Sequence, residues 1–134
     1  MSQDSRDIRW QQRFHNFEKE FLFLERATKQ QTFNQLEAAG LVQCFEFTFE
    51  LAWKTFKDYL TDQAFLVQSP RETIKQAFQS NYLKDGHIWM QMLESRNLLS
   101  HTYNEEQAEA ATKLICETYF PPIRQAYQFL KEKL

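Results

Sequence analysis

A chain of 134 residues has the length of one compact domain and can bury a core without disulfides or a structural metal. Hydrophobic residues at 43% and charged residues at 25% suit a soluble globule, whereas 13 Phe against 2 Gly and 3 Pro leave few turn-formers and favour long helices. A formal charge of −2 excludes a global positive field that would recruit nucleic acid, so any contact with RNA or DNA has to rest on a local patch.

The first ten residues, MSQDSRDIRW, are charged from the start and lack an apolar signal core, and no later run approaches the ~18 apolar residues of a membrane span. A cytoplasmic protein with no membrane partner is expected. At 100° per residue, Trp10, Phe14, Phe17, Phe21 and Leu24 fall within an arc of about 80°, which predicts an amphipathic helix over 7–28. From 34 to 61 the apolar arc widens to about 160°, carried by Leu41, Cys44, Phe45, Thr48, Phe49, Leu51, Ala52, Phe56 and Tyr59. That helix is expected to touch neighbours on two sides, opposite a polar stripe of Gln43, Glu46, Glu50, Lys54 and Lys57. Phe47, within the polar stripe, and Phe23, opposite the main face of the first helix, are expected as rim aromatics or subunit contacts. Cys44 and Cys116 have no CxxC or His-spaced partner and read as reduced core thiols.

Ser69-Pro70 followed by Glu72 predicts a capped start, opening a short helix that ends before Lys84-Asp85-Gly86. A fourth helix over 85–101 sets Ile88, Trp89, Met92, Leu93 and Leu99 on one side, with Arg96 near the centre of that side. Asn104 followed by Gln107 reads as the cap of a fifth helix, so the chain turns between Ser100 and Asn104. There Ala108, Ala111, Ile115, Thr118, Tyr119, Pro122, Ala126, Phe129 and Leu130 keep one phase through Pro121-Pro122, which predicts a kinked helix or two nearly coaxial pieces. No repeat or linker divides the chain. The fold class expected is all-α: an up-and-down antiparallel bundle of four to five helices, residues 1–134 forming one domain.

The stretch ESRNLLSHTYNEE, Glu94–Glu106, carries the chemistry. An arginine cannot shed its proton, so amid Trp89, Met92, Leu93 and Leu99 it requires an anion. One reading is an internal ion pair, with Glu46, Glu50 or another acid as partner. Taken singly, His101 reads as a surface residue and Tyr103 as core. Taken together, a guanidinium, an imidazole able to exchange a proton near neutral pH and a phenol within eight residues suit a phosphodiester.

Arg96-Asn97-Leu98-Leu99-Ser100-His101 resembles the RxxxxH signature of HEPN domains (higher eukaryotes and prokaryotes nucleotide-binding), and Tyr103 extends it to RxxxxHxY. Phe45–Leu60 (FEFTFELAWKTFKDYL), Ser69-Pro-Arg-Glu72, the Ala77-Phe78 pair and Trp89 resemble the branch called nucleotidyltransferase substrate-binding proteins, over about residues 10–130. The resemblance implies a helical bundle that forms a homodimer and works beside a separately encoded minimal nucleotidyltransferase, in many cases as the toxin half of a toxin–antitoxin pair. It implies Arg96 and His101 as the catalytic pair of a metal-independent ribonuclease without cofactor, and Tyr103 as the residue a partner enzyme adenylylates. Asn97 would orient a phosphate or brace His101, or else simply cap the helix end. With only Gly40 and Gly86, the chain has neither the GS motif of a minimal nucleotidyltransferase nor a GxxxxGK loop, so it is the companion and not the transferase. The alternative reading is a non-catalytic adaptor that binds a nucleotide or substrate for that enzyme.

Overall fold

The computed structural model describes the backbone from residue 2 to 134 and the side chains of residues 8–98 and 101–134. Its helices are α1 (Ser2–Thr28), α2 (Gln35–Asp62), α3 (Pro70–Gln79), α4 (Gly86–Glu94), α5 (Glu105–Leu114) and α6 (Phe120–Glu132). A 3-10 turn, Leu98–His101, precedes α5, and one π-helical turn, Ile115–Tyr119, joins α5 to α6 without a break, giving five helical rods. No strand occurs among the described residues, and the expected all-α bundle is what the chain forms. None of the described helices is long and apolar enough to cross a membrane.

Each start has a local cause. Asn34 Oδ1 accepts from Glu37 N at 2.8 Å while Glu37 Oε1 accepts from Asn34 N at 2.9 Å, a reciprocal cap that opens α2. Ser69 and Glu72 form the same box at α3, with Pro70 at its first position. Helix α4 starts from Asp85 in a left-handed conformation (φ 58°), and Gly86 follows because a Cβ there would meet the Phe78 ring at 2.8 Å.

Register follows from pairs whose indices rise in one helix as they fall in the other. Trp10 meets Tyr59 at 5.0 Å between ring centroids, Arg13 Nε donates to Asp58 at 2.6 Å, and Thr48 Oγ1 reaches Glu20 O at 3.5 Å, so α1 and α2 run antiparallel along their length. Helix α6 runs antiparallel to α1: Phe14 stacks on Tyr127 at 5.6 Å and Phe21 on Phe120 at 5.5 Å. The phenylalanine excess builds the core, where Trp10, Phe14, Phe17, Phe21, Phe45, Phe49 and Phe56 are buried and interlock in offset and edge contacts. Leu24 completes the inner face of α1.

In α2, Cys44 and Leu51 are only partly buried, while Val42, Trp53, Thr55 and Leu60 join the core. Cys44 and Cys116 are half-buried free thiols, and burial pushes the Cys44 thiol up to about 11. The proline pair produces a widened turn and not a separation of helices. Pro121 and Pro122 lack the N–H groups that an α-helix requires, and the π turn just before them accommodates this, with Phe120 N–H reaching back five residues to Ile115 O.

A buried-edge network fixes the α1–α6 seam. Tyr127 Oη donates to Glu18 Oε2 at 2.6 Å and Lys131 Nζ donates to the same oxygen at 3.2 Å. The Tyr127 hydrogen bond, aided by Lys131, holds the Glu18 carboxyl below its ordinary value of 4.5 against the opposing effect of burial. Since the folded carboxyl releases its proton more readily than the unfolded one, this contribution is complete above the unfolded value and lost as pH falls through the folded one. Thermal unfolding of wild type and Glu18→Gln should therefore differ at pH 7 and converge in acid. A gap that persists unchanged into acid would mean that the carboxylate charge contributes nothing.

Candidate functional site

Helix α4 is shorter than its apolar pattern suggests, and this corrects the placement of Arg96. Trp89, Met92 and Leu93 are buried, with Trp89 set against Phe49 at 5.9 Å and Phe56 at 6.4 Å on α2. Had the helix continued to 101, the next inward position would have carried Arg96 into that core. It stops at Glu94 instead, with Ser95 as the closing residue (φ −102°, ψ 26°). Ser95 and Asn97, whose short polar side chains compete with helical backbone bonding, flank the arginine. The turn buries Leu98 in its place and leaves the Arg96 side chain 51% exposed. The side chain of Leu99, expected on the same apolar side, lies outside the described residues.

Arg96 Nη1 lies 3.5 Å from Glu50 Oε1, an ion pair that bridges 46 residues of sequence. Glu50 is one of the acids named for the internal-pair reading, which left Glu46 or another acid open, but the pair sits at the surface and not in the core. The other Glu50 oxygen accepts from Trp53 Nε1 at 3.0 Å and lies 3.9 Å from Lys54 Nζ. Trp53 is buried, so its indole fixes the carboxylate, and Arg96 reaches toward an anchored group. Sequence reasoning left Lys54 among the stripe residues and gave Trp53 no role. Their signal was the spacing Glu50, Trp53, Lys54, three and four residues apart on one helix face.

Asn97 is exposed and occupies the position before the 3-10 turn, and His101, also exposed, closes that turn. Thr102 is buried, and its carbonyl accepts from Gln35 Nε2 at 3.1 Å, which ties the turn to the start of α2. Tyr103 is 72% exposed, against the reading of a lone tyrosine as core, and its hydroxyl is 3.4 Å from Gln107 Nε2. Asn104 Oδ1 accepts from Gln107 N at 2.8 Å and so caps α5, whose first turn carries Glu105 and Glu106. The structure thus leaves a guanidinium, an imidazole and a phenol exposed within the eight residues of chain from Arg96 to Tyr103. Beside it lie two acids on α5 and, through Glu50, a lysine on α2.

Elsewhere on the surface, Phe47 (53%) and Phe23 (56%) are exposed as expected. Phe23 borders a groove of about 220 Å³ with Phe33, Gly40, Leu41 and Cys44. A larger cleft, about 430 Å³, lies between the α1–α2 connection and α5. Its described lining includes Glu105 and Glu109 but no lysine or arginine.

The family described as nucleotidyltransferase substrate binding protein like matches residues 12–132. A curated relative, "Probable ribonuclease HepT" of Haemophilus influenzae, is 31% identical over 77 residues, which are 54% of this chain and 53% of that protein. The chain therefore spans about half the length of that relative in the match. Among solved structures, a Thermus thermophilus protein is similar with a TM-score of 0.76 and 28% identity, covering 86% of this chain and 98% of that one. A Haemophilus influenzae protein, described as revealing the fold of a substrate binding domain of a nucleotidyltransferase, shares the fold with a TM-score of 0.74. It is 22% identical and covers 88% of this chain and 98% of its own.

Proposed function

The chain belongs to the nucleotidyltransferase substrate binding protein-like family, and from that premise we propose that it is the partner subunit of a separately encoded minimal nucleotidyltransferase and a metal-independent endoribonuclease. The observation that supports this reading is the exposure of Arg96, in the turn that closes α4, and of His101, at the end of the 3-10 turn that follows it. The resemblance of the RxxxxH pattern and the likeness to a protein described as a probable ribonuclease point the same way.

In the proposed reaction a ribose 2′-oxygen forms a bond to the adjacent phosphorus and the bond from phosphorus to the 5′-oxygen breaks, leaving a cyclic phosphate. His101 takes the proton from the 2′-hydroxyl or supplies one to the leaving 5′-oxygen, and Arg96 stabilises the charge that develops on the phosphate. One imidazole cannot readily do both jobs in one pass. Two copies of the motif facing each other across a homodimer supply the second, so dimerisation belongs to the mechanism. Asn97, beside Arg96 in the chain, orients the phosphate. Tyr103 is the modification candidate: adenylylation there sets a phosphate near Arg96 and competes for the cation that RNA needs.

The test is cleavage of single-stranded RNA by the purified protein in EDTA, with a fully 2′-deoxy strand as control and light scattering to give the mass in solution. Cleavage of the ribose strand alone by a dimer is the expected result. A stable monomer would remove the two-histidine mechanism. A protein that leaves RNA intact yet binds a co-encoded nucleotidyltransferase through surfaces including Tyr103 would be an adaptor, the second reading, which the 72% exposure of that tyrosine favours.

A further inference from the structure

Glu50 holds two cations at once, one on each oxygen: Arg96 Nη1 at 3.5 Å from Oε1 and Lys54 Nζ at 3.9 Å from Oε2. We propose that Lys54 is a substrate-contact residue that completes, with Arg96, a two-cation phosphate seat, and that Glu50 occupies the seat as an internal counter-anion until RNA displaces it. The inference rests on the ribonuclease reading above and names the further residue that reading requires.

Three features of the site carry it. Both cationic contacts are long beside the roughly 2.7–2.9 Å of a well-made charge-assisted bond, so they exchange readily for a better-fitting anion. The short bond that Glu50 makes is to Trp53 Nε1 at 3.0 Å, so the carboxylate is anchored by a neutral donor and not by the cations. The Arg96 and Lys54 side chains, 51% and 45% exposed, also remain open to an incoming strand.

The surroundings point in the same direction. A phosphate presents oxygens to the same donors as a carboxylate and carries the larger share of acceptor sites. Along α2 the same side continues to a cleft of about 190 Å³ lined by Arg13, Trp53, Lys54, Lys57 and Asp58, which extends the basic ground away from Arg96. Of the cations lining this cleft, Arg13 is engaged by Asp58 at 2.6 Å, while Lys54 reaches the Glu50 carboxylate that pairs with Arg96. The larger cleft beside α5 presents Glu105 and Glu109 and would repel a phosphate. In a chain of net charge −2, such a local pairing of cations is what nucleic-acid contact demands.

The experiment measures binding of a fluorescent all-2′-O-methyl oligoribonucleotide, which carries the phosphates and lacks the nucleophile, across a salt series. Lys54→Ala is expected to weaken binding about tenfold at low salt and to lower the slope of log K against log salt by about 0.7, the value for one phosphate contact on a single strand. Lys54→Arg should restore both. Glu50→Gln keeps an acceptor for Trp53 but removes the competing charge, and is expected to tighten binding several-fold. In cleavage, Lys54→Ala should lower kcat/KM about tenfold, and Lys54→Arg should restore it. An unchanged slope in Lys54→Ala, or weaker binding by Glu50→Gln, in a wild-type background that cleaves RNA would overturn the inference alone. A wild type that neither binds nor cleaves RNA overturns the ribonuclease reading, and the inference falls with it.

Discussion

Arg96→Ala is expected to lower RNA cleavage by about 10²–10³-fold, the loss typical for one donor to a developing oxyanion, while changing the free energy of unfolding by less than about 1 kcal/mol. The two expectations have different causes. Catalysis suffers because a guanidinium presents a fixed fork of donors to the phosphate, which an alanine cannot replace. Stability is spared because the Arg96 side chain is half exposed and its partner keeps the Trp53 indole and Lys54 when the arginine is removed. A buried pair would behave otherwise, since truncation would strand a carboxylate at a cost of about 3–5 kcal/mol. His101→Ala, at an exposed turn residue, should likewise lose about 10²–10⁴-fold in rate without a change in fold. Urea unfolding and cleavage of a defined single-stranded RNA, measured on the same preparations, separate these cases. A sharp loss of stability in Arg96→Ala, or full activity in either variant, would contradict the assignment.

Phe21→Ala is expected to destabilise the protein by about 3–5 kcal/mol, whereas Phe23→Ala, two residues along the same helix, should stay within about 0.5 kcal/mol of wild type. Phe21 is 1% exposed and stacks on Tyr127 at 4.2 Å and on Phe120 at 5.5 Å, so its ring joins α1 to α6. Removing it takes away both the burial of a large apolar group and the dispersion contacts of the surrounding rings, which are held by long helices and cannot fully close the void. Phe23 points the other way, and Arg26 is its near charged neighbour at 5.9 Å from the ring centroid. Chemical denaturation with matched m-values would establish both numbers. Equal losses in the two variants would mean that Phe23 is covered in solution, by a second copy or another partner.

The apolar spacing of the sequence was sufficient to place α1 and α2, and the Ser69-Pro70 and Asn104 signals sufficed for the starts of α3 and α5. Amphipathic periodicity and capping are settled within a few residues of chain, by which face meets water and which side chain satisfies an orphan N–H. The residue types at the candidate site were legible for the same reason: Arg96, Asn97, His101 and Tyr103 lie within one short stretch. Their setting was not.

Whether α4 runs on to His101 or stops at Glu94 turns on a contest that the local pattern misjudged. The apolar period argued for continuation, but continuation would have pressed a guanidinium against Trp89 and its neighbours, a desolvation penalty far larger than the few tenths of a kcal/mol by which helix propensities differ. The π turn ahead of Pro121 is a similar outcome, in which packing keeps α5 and α6 in line while the missing N–H groups widen the helix. The joining of Arg96 to Glu50 across 46 residues, with Trp53 and Lys54 on the far side of that carboxylate, depends on how α4 lies against α2. No local spacing encodes that distance, because it is set by the fit of Trp89 between Phe49 and Phe56 in the assembled core.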